Sequence, residues 1–315
     1  PEGPLVNPAT PQDAPPPGAS DATTPTTSSS PSHGQPPSHA PASIVDPNRS
    51  VPERRAWVTV GTVLVAAVVG GAWFAAWVDG HQVHATQTAT YAAGSIDLRN
   101  LGDHNVNING SNRSDILVTR RVTWVGSSDA PPAPREAVID STLVVDNPCD
   151  SVGLTCSVDY RIEVPLTAAV HWAAGSGDLY AANVTSVVAK GSSSDITLRE
   201  VGTVDITTMS GDVDLCGSDT SLAVKTQSGR IDACDVTAAS VVIATASGDV
   251  RFDGGPEVAI IRTASGDVTV TLTAQERYDL MASSSSGEVD VEAVPDRASS
   301  RTLHVTTASG DIIVR

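Results

Sequence analysis

Cations are scarce in this sequence of 315 residues, with 19 Lys and Arg together against 36 Asp and Glu, a net charge of −17. Only two of the cations are Lys (Lys190 and Lys225). Nucleic-acid binding needs clustered positive side chains to displace phosphate counterions, so no nucleic-acid partner is expected. Aromatic residues make up only 3% of the chain. No Gly-x-Ser-x-Gly elbow, His-Glu-x-x-His pair or phosphate loop occurs, and these are the motifs that announce common hydrolytic and nucleotide chemistry. His81, His84, His104, His171 and His304 are scattered. The four Cys form no Cys-x-x-Cys, and no His-rich spacing suggests zinc. Catalytic residues, cofactors and metal ligands are therefore assigned to none.

What remains is rich in Val, Thr, Ser, Ala, Gly and Asp, a mixture suited to strands joined by tight turns. Its distribution divides the chain. Residues 1–52 hold fourteen of the 21 Pro and few large apolar side chains; such a segment cannot offset its ordering entropy and is expected to be disordered, with polyproline II character. Residues 56–78, "AWVTVGTVLVAAVVGGAWFAAWV", contain 23 uncharged residues, enough as a helix to cross a hydrocarbon core of about 30 Å. Trp57 lies near one end, and Trp73 and Trp77 near the other, where interfacial aromatics belong. Arg49, Arg54 and Arg55 precede the span, and no Lys or Arg follows it before Arg99. The positive-inside bias then predicts a single-pass protein in the cell membrane, its tail cytoplasmic and everything after residue 79 extracytoplasmic. The run is too long, and too far from the start, for a signal peptide. The chain opens on Pro1 rather than Met, as a fragment or processed product would.

Residues 79–315 carry 31 acids and 16 bases, and they repeat. Taking the Gly of each Ser-Gly-Asp as position zero, equivalents fall at Gly177, Ser194, Gly211, Gly229, Gly248, Gly266, Gly287 and Gly310. Seven before zero the residues are Val170, Val187, Val204, Leu222, Val241, Ala259, Leu280 and Leu303; five before, two after and four after zero are likewise apolar, 32 positions in all. The columns between them vary freely. This is period-2 alternation with the inward face switching at Ser-Gly-Asp, so each repeat holds two short strands and the Gly marks a corner. Steps of 17 to 23 residues are too short for a propeller blade of about 40. They predict an all-β, single-stack β-solenoid (β-helix-like) ectodomain, each strand pairing in parallel with its copy about 4.8 Å away. A third short strand between repeats stays open. The expected organisation is a tail over 1–52, a span over 56–78, a linker and irregular opening coils over 79–165 that include a Pro-rich loop at 127–137, and regular coils over 166–315.

Equivalent positions in neighbouring coils carry Cys216 and Cys234, which a solenoid brings within disulfide reach. Cys149 and Cys156 bracket a small loop, and two disulfides suit an oxidising compartment. One after zero stands an acidic column, Asp178, Asp195, Asp212, Asp249, Asp267, Glu288 and Asp311, broken by Arg230. It either offers a cation ladder or supplies acceptors to the turn backbone; the second reading suits a repeat twice as long as that of calcium-binding β-rolls. Trp124 and Trp172 are candidate sugar platforms, but Trp172 falls in an inward column and reads as core. Arg315 closely follows the last strand. That coil is expected to be uncapped, an edge for homo-oligomer formation.

The repeated "T-x-SGDV-x-V" coils, preceded by "VDYRIEVP" and "GSGDLYA", resemble the bacterial candidate-adhesin family of β-strand-repeat membrane proteins, also called toast-rack domains. The likeness covers residues 90–315 and departs at Ser194 and Arg230. It implies a β-helical extracytoplasmic domain on a bacterial envelope, from a high-GC organism given the Arg-over-Lys bias, with no catalytic residues. The function expected is a non-catalytic, membrane-anchored adhesin-like binding or scaffold domain whose partner is a cell-envelope polymer or surface protein. Two alternatives stay open: an envelope-stress or signalling sensor with a cytoplasmic recruitment tail, and a β-helical carbohydrate-active enzyme.

Overall fold

The computed structural model describes residues 82–125, 130–151, 156–273 and 276–315. The Pro-rich tail and the apolar run 56–78 lie outside them, and no described helix is long and apolar enough to cross a membrane. The described residues form 21 strands and one short 3-10 turn.

Two ladders run side by side, each coil contributing a strand to both. From Ala169 onward every strand pairing is parallel. The register follows the sequence columns: Leu179 faces Ile196, then Val213, Ile231, Val250 and Val268. On the other ladder Val187 faces Val204, then Leu222, Val241 and Ala259. Of the 32 column positions, 28 are buried, each worth about 1.5–3 kcal/mol when a Val, Leu or Ile is fully removed from water. The four exceptions, Leu280, Ala282, Val289 and Val291, all belong to one coil.

That coil explains itself through the order of the stack. The strand Val258–Ser265 pairs not with Asp279–Ser286, next in sequence, but with Thr302–Ser309, which in turn pairs with Asp279–Ser286. Val268–Leu272, Ile312–Val314 and Val289–Val291 follow the same order. The last coil in sequence is thus inserted one place in from the end, and residues 279–291 form the outermost rung. The expectation of a bare edge at Arg315 is corrected: both strands of 302–314 have neighbours on either side, and the open edge belongs to 279–291. The crossing is fastened by buried Tyr278, whose hydroxyl lies 2.9 Å from the Pro256 carbonyl and from Glu276. Arg301 donates to the carbonyls of Gly255 and Pro256 at 2.9 Å.

The opposite end mirrors this. Ser95–Arg99 lies between Thr142–Asp146 and Ala169–Ala173, and Val106–Ser111 lies between Cys156–Pro165 and Leu179–Lys190, all in parallel. Parallel stacking therefore begins upstream of residue 166. Beyond it the chain turns antiparallel: Ile116–Val125 pairs with both Gln82–Tyr91 and Cys156–Pro165, and Arg135–Ile139 with Thr142–Asp146. This end is closed by a buried ion pair. Arg120 points inward among Val118, Val122 and Trp124 and meets Glu136. Its Nε donates to Gln87 Oε1 at 2.8 Å, and the Tyr91 hydroxyl donates to Glu136. Burial and the adjoining carboxylate push the Tyr91 hydroxyl pKa above its ordinary value.

No third strand stands between the described repeats. Instead the second corner is made by a residue six after zero: Asn183, Glu200, Gly217 and Asp235 all take positive φ, between 53° and 73°. Both disulfides form, joining Cys149 to Cys156 and Cys216 to Cys234, with Cα separations of 5.5 and 4.6 Å.

Glu136→Ala strands the Arg120 charge in the core, and a loss of about 3–5 kcal/mol is expected on chemical denaturation. The double change Arg120→Met with Glu136→Leu removes both charges and is expected to cost far less.

Candidate functional site

The repeated Thr-x-Ser-Gly-Asp is accounted for atom by atom within the corner. The Thr three before zero is an inward residue: Thr208, Thr226, Thr245, Thr263 and Thr307 are all buried. Four of their hydroxyls donate to the carbonyl of the Ser two residues on, at 2.8 to 3.1 Å. At two of these corners the Ser carbonyl also accepts the Gly N–H of an adjoining coil, from Gly248 to Ser265 and from Gly266 to Ser309. The Gly adopts φ of 117° to 153° at the corners from 211 onward. A Cβ there would strike the neighbouring coil; at Gly266 it would meet the Gly248 carbonyl oxygen at 2.3 Å.

The Asp column is part of the same corner. Asp195 N donates to Asp178 Oδ1 at 3.1 Å, Asp212 N to Asp195 at 2.9 Å, and Arg230 N to Asp212 at 2.8 Å. Beyond the Arg the ladder resumes, Asp267 N to Asp249, Asp311 N to Asp267 and Glu288 N to Asp311, at 2.8 to 3.0 Å. Asn105 begins it, accepting from Asp178 N at 3.0 Å. Each Asp of the column thus commits one carboxylate oxygen to the next coil's backbone. Among the described residues no group of three or more His, Cys, Asp or Glu is placed to hold a metal ion. Trp124 and Trp172 are both buried, so neither offers a ring to a ligand.

A different place has uncommitted polar groups. Across the outer surface of the first ladder, where the antiparallel strands meet the parallel ones, lies a hollow of about 690 Å3. Strand pairing sets its two rows. One runs Thr119, Arg161, Asn107, Tyr180, Thr197, each facing the next on the adjoining strand. The other begins with Thr86, Arg121 and Asp159 and joins the ladder acceptors Asn105, Asp178 and Asp195. Arg121, Asn107, Arg161 and Tyr180 are exposed, Tyr180 at 38%. The side chains of Arg121, Arg161, Asn107 and Tyr180 make no hydrogen bond or ion pair with the described residues, whereas Arg199, two coils away from Asn107, is locked bidentately to Asp214 at 2.8 and 3.0 Å. That pairing holds the Asp214 carboxyl below its usual range. Beneath the hollow Tyr160 is buried, and burial raises its hydroxyl pKa. Sequence reading missed this site. Its one signal was Tyr180, an aromatic in an outward column three after zero otherwise filled by Thr, Asp and Arg, with Ile313 at its far end.

Residues 159–315 match the family model described as Toastrack DUF4097, and through these residues the chain belongs to that toast-rack family. Solved structures similar to it include a candidate adhesin from Parabacteroides distasonis (14% identity, 73% of this chain and 97% of that one, TM-score 0.44). Another is a candidate adhesin from Bacteroides fragilis (14% identity, 73% and 97%, TM-score 0.38). A third is a candidate cell adhesion protein from Clostridium sporogenes (12% identity, 74% and 98%, TM-score 0.27). No curated protein matches the chain.

Three substitutions test the corner. Gly266→Ala is expected to destabilise by about 1–3 kcal/mol or more, whereas Gly94→Ala, where a Cβ meets nothing within 4 Å, is expected to be near neutral. At the break in the ladder the N–H of Asp249 has no acceptor among the described residues; Arg230→Asn supplies one and is expected to stabilise by about 0.5–1.5 kcal/mol, read from the denaturation midpoint.

Proposed function

We propose that this chain is a non-catalytic, adhesin-like binding module of the bacterial cell envelope. In this reading the apolar run 56–78 anchors it, the Pro-rich tail lies in the cytoplasm, and the solenoid stands outside the membrane. Several features support that placement. The 23-residue uncharged run is preceded by Arg49, Arg54 and Arg55, and two disulfides close within the folded part, as befits an oxidising compartment.

The observation that carries the binding role is the division of polar groups. In the regular coils Thr, Ser, Gly and Asp serve the corner itself. Where the opening coils meet the regular ones, a concave surface holds two cations, an amide and an exposed aromatic ring whose polar groups make no hydrogen bond or ion pair among the described residues. Functional pockets have this character, a shaped depression with a few convergent polar groups. Unpaired guanidiniums on so acidic a chain are not needed for solubility.

The test is sedimentation of the full chain, kept in detergent, with purified cell-wall sacculi. Saturable co-sedimentation is expected, weakened at least tenfold by Arg121→Gln with Arg161→Gln. Absence of binding to wall material, or product release from it, would overturn the reading.

A further inference from the structure

We infer that the hollow takes a linear oligosaccharide of carboxylated pyranose units, laid along the stacking axis. This rests on the binding-module reading and adds the chemistry and direction of the ligand.

The direction follows from the pairing. Thr119, Arg161, Asn107, Tyr180 and Thr197 occupy five successive strands, so the row crosses the strands and repeats at about 4.8 Å. A peptide would have to lie along a strand and find a free edge, and here every strand beneath the row is paired on both sides. A pyranose unit is about as long as one rung of about 4.8 Å, so successive sugars meet successive side chains in register.

The chemistry follows from what those side chains are. Tyr180 presents a partly exposed ring, and an aromatic face suits the C–H face of a sugar while its hydroxyl stays wet. Asp178 and Asp195 have each committed one oxygen to the ladder, leaving the second to accept from sugar hydroxyls. At the other end of the row stand Arg121 and Arg161. They are diagonal neighbours on an antiparallel pair, Arg121 facing Asp159 and Thr119 facing Arg161, a relation that separates Cα atoms by about 7–8 Å. Two guanidiniums so placed can close on one carboxylate, the planar anion they match best. The hollow is thus polarised: Tyr180, Asp178 and Asp195 form an aromatic and acceptor end for hydroxyls and ring carbons, and Arg121 and Arg161, flanking Asp159, form a cationic end two rungs away for an acid. Neutral glycans would leave both guanidiniums unanswered, and a chain of phosphodiesters would offer Tyr180 no flat apolar face.

The experiment is titration of the full chain in detergent with tetragalacturonate and a hyaluronan tetrasaccharide, against cellotetraose as the neutral control. At least one acidic probe is expected to bind saturably and at least tenfold more tightly than cellotetraose. Tyr180→Ala and Arg161→Gln are each expected to weaken it tenfold or more, with the denaturation midpoint unchanged. Equal affinity for acidic and neutral chains, binding indifferent to both substitutions, or no binding of either acidic probe overturns the inference. Should sacculi still bind while both acidic probes fail, the glycan assignment falls and the binding-module reading stands; if neither binds, both fall.

Discussion

Everything in this fold hangs on how closely one corner can lie on the next. At Gly266 the space a Cβ would need is already occupied by the carbonyl oxygen of Gly248, and the same contact recurs along the corner column. Backbone set against backbone in this way fixes the phase of each coil absolutely, because no side chain intervenes to give slack. The Asp one residue later then accepts a hydrogen bond from the next coil's N–H, a charge-assisted contact stronger than a neutral one. Parallel strands have evenly spaced, slanted bonds that by themselves permit sliding by two residues. The corner removes that freedom. Apolar columns supply most of the favourable free energy, but they would be nearly as content out of phase; Gly and Asp decide which phase is adopted.

The order of the stack answers a second problem, the ends. An outermost coil has one free edge. Here the coil 302–314 is inserted between two others, and both of its strands have neighbours on either side. The exposed rung 279–291 is held by covalent chain at both ends instead, and by Tyr278 and Arg301 at the crossing. The ladder is consistent with this order: Glu288, the one longer acid in its column, sits on the rung with no further coil to serve. The opening coils use the same device with 95–111, and then close the stack with antiparallel strands over a buried Arg120–Glu136 pair.

The columns, the corner and the two disulfides could be read from the sequence because each is a local pattern repeated with fixed spacing. The order of coils could not. A set of identical apolar columns is satisfied by any permutation of its rungs, so Leu280 and Leu303 look alike whichever stands outside. The hints were weak: steps lengthened to 21 and 23 residues, Glu in place of Asp, and "SSSS" in place of Thr-x-Ser. The hollow was harder still. Arg121, Arg161, Asn107 and Tyr180 come together only because strands far apart in sequence become neighbours, and all three of the pairings that align them are antiparallel or out of order. Tyr180 alone sat in a column where its outward direction was legible.

This contrast suggests why the site lies where it does. In the regular coils an outward residue is adjacent to its own equivalents, so a row of like side chains is the natural result, and any new charge faces near copies of itself. Inward and corner positions are closed to change altogether, since a Cβ or a lost carboxylate there disturbs two coils at once. The opening coils have neither restriction. Their neighbours across strands are unlike residues, and the change from antiparallel to parallel pairing bends the surface into a depression. Where the repeat is broken, unlike side chains from distant strands share one hollow, and the stack that follows supports that part through continuous parallel pairing.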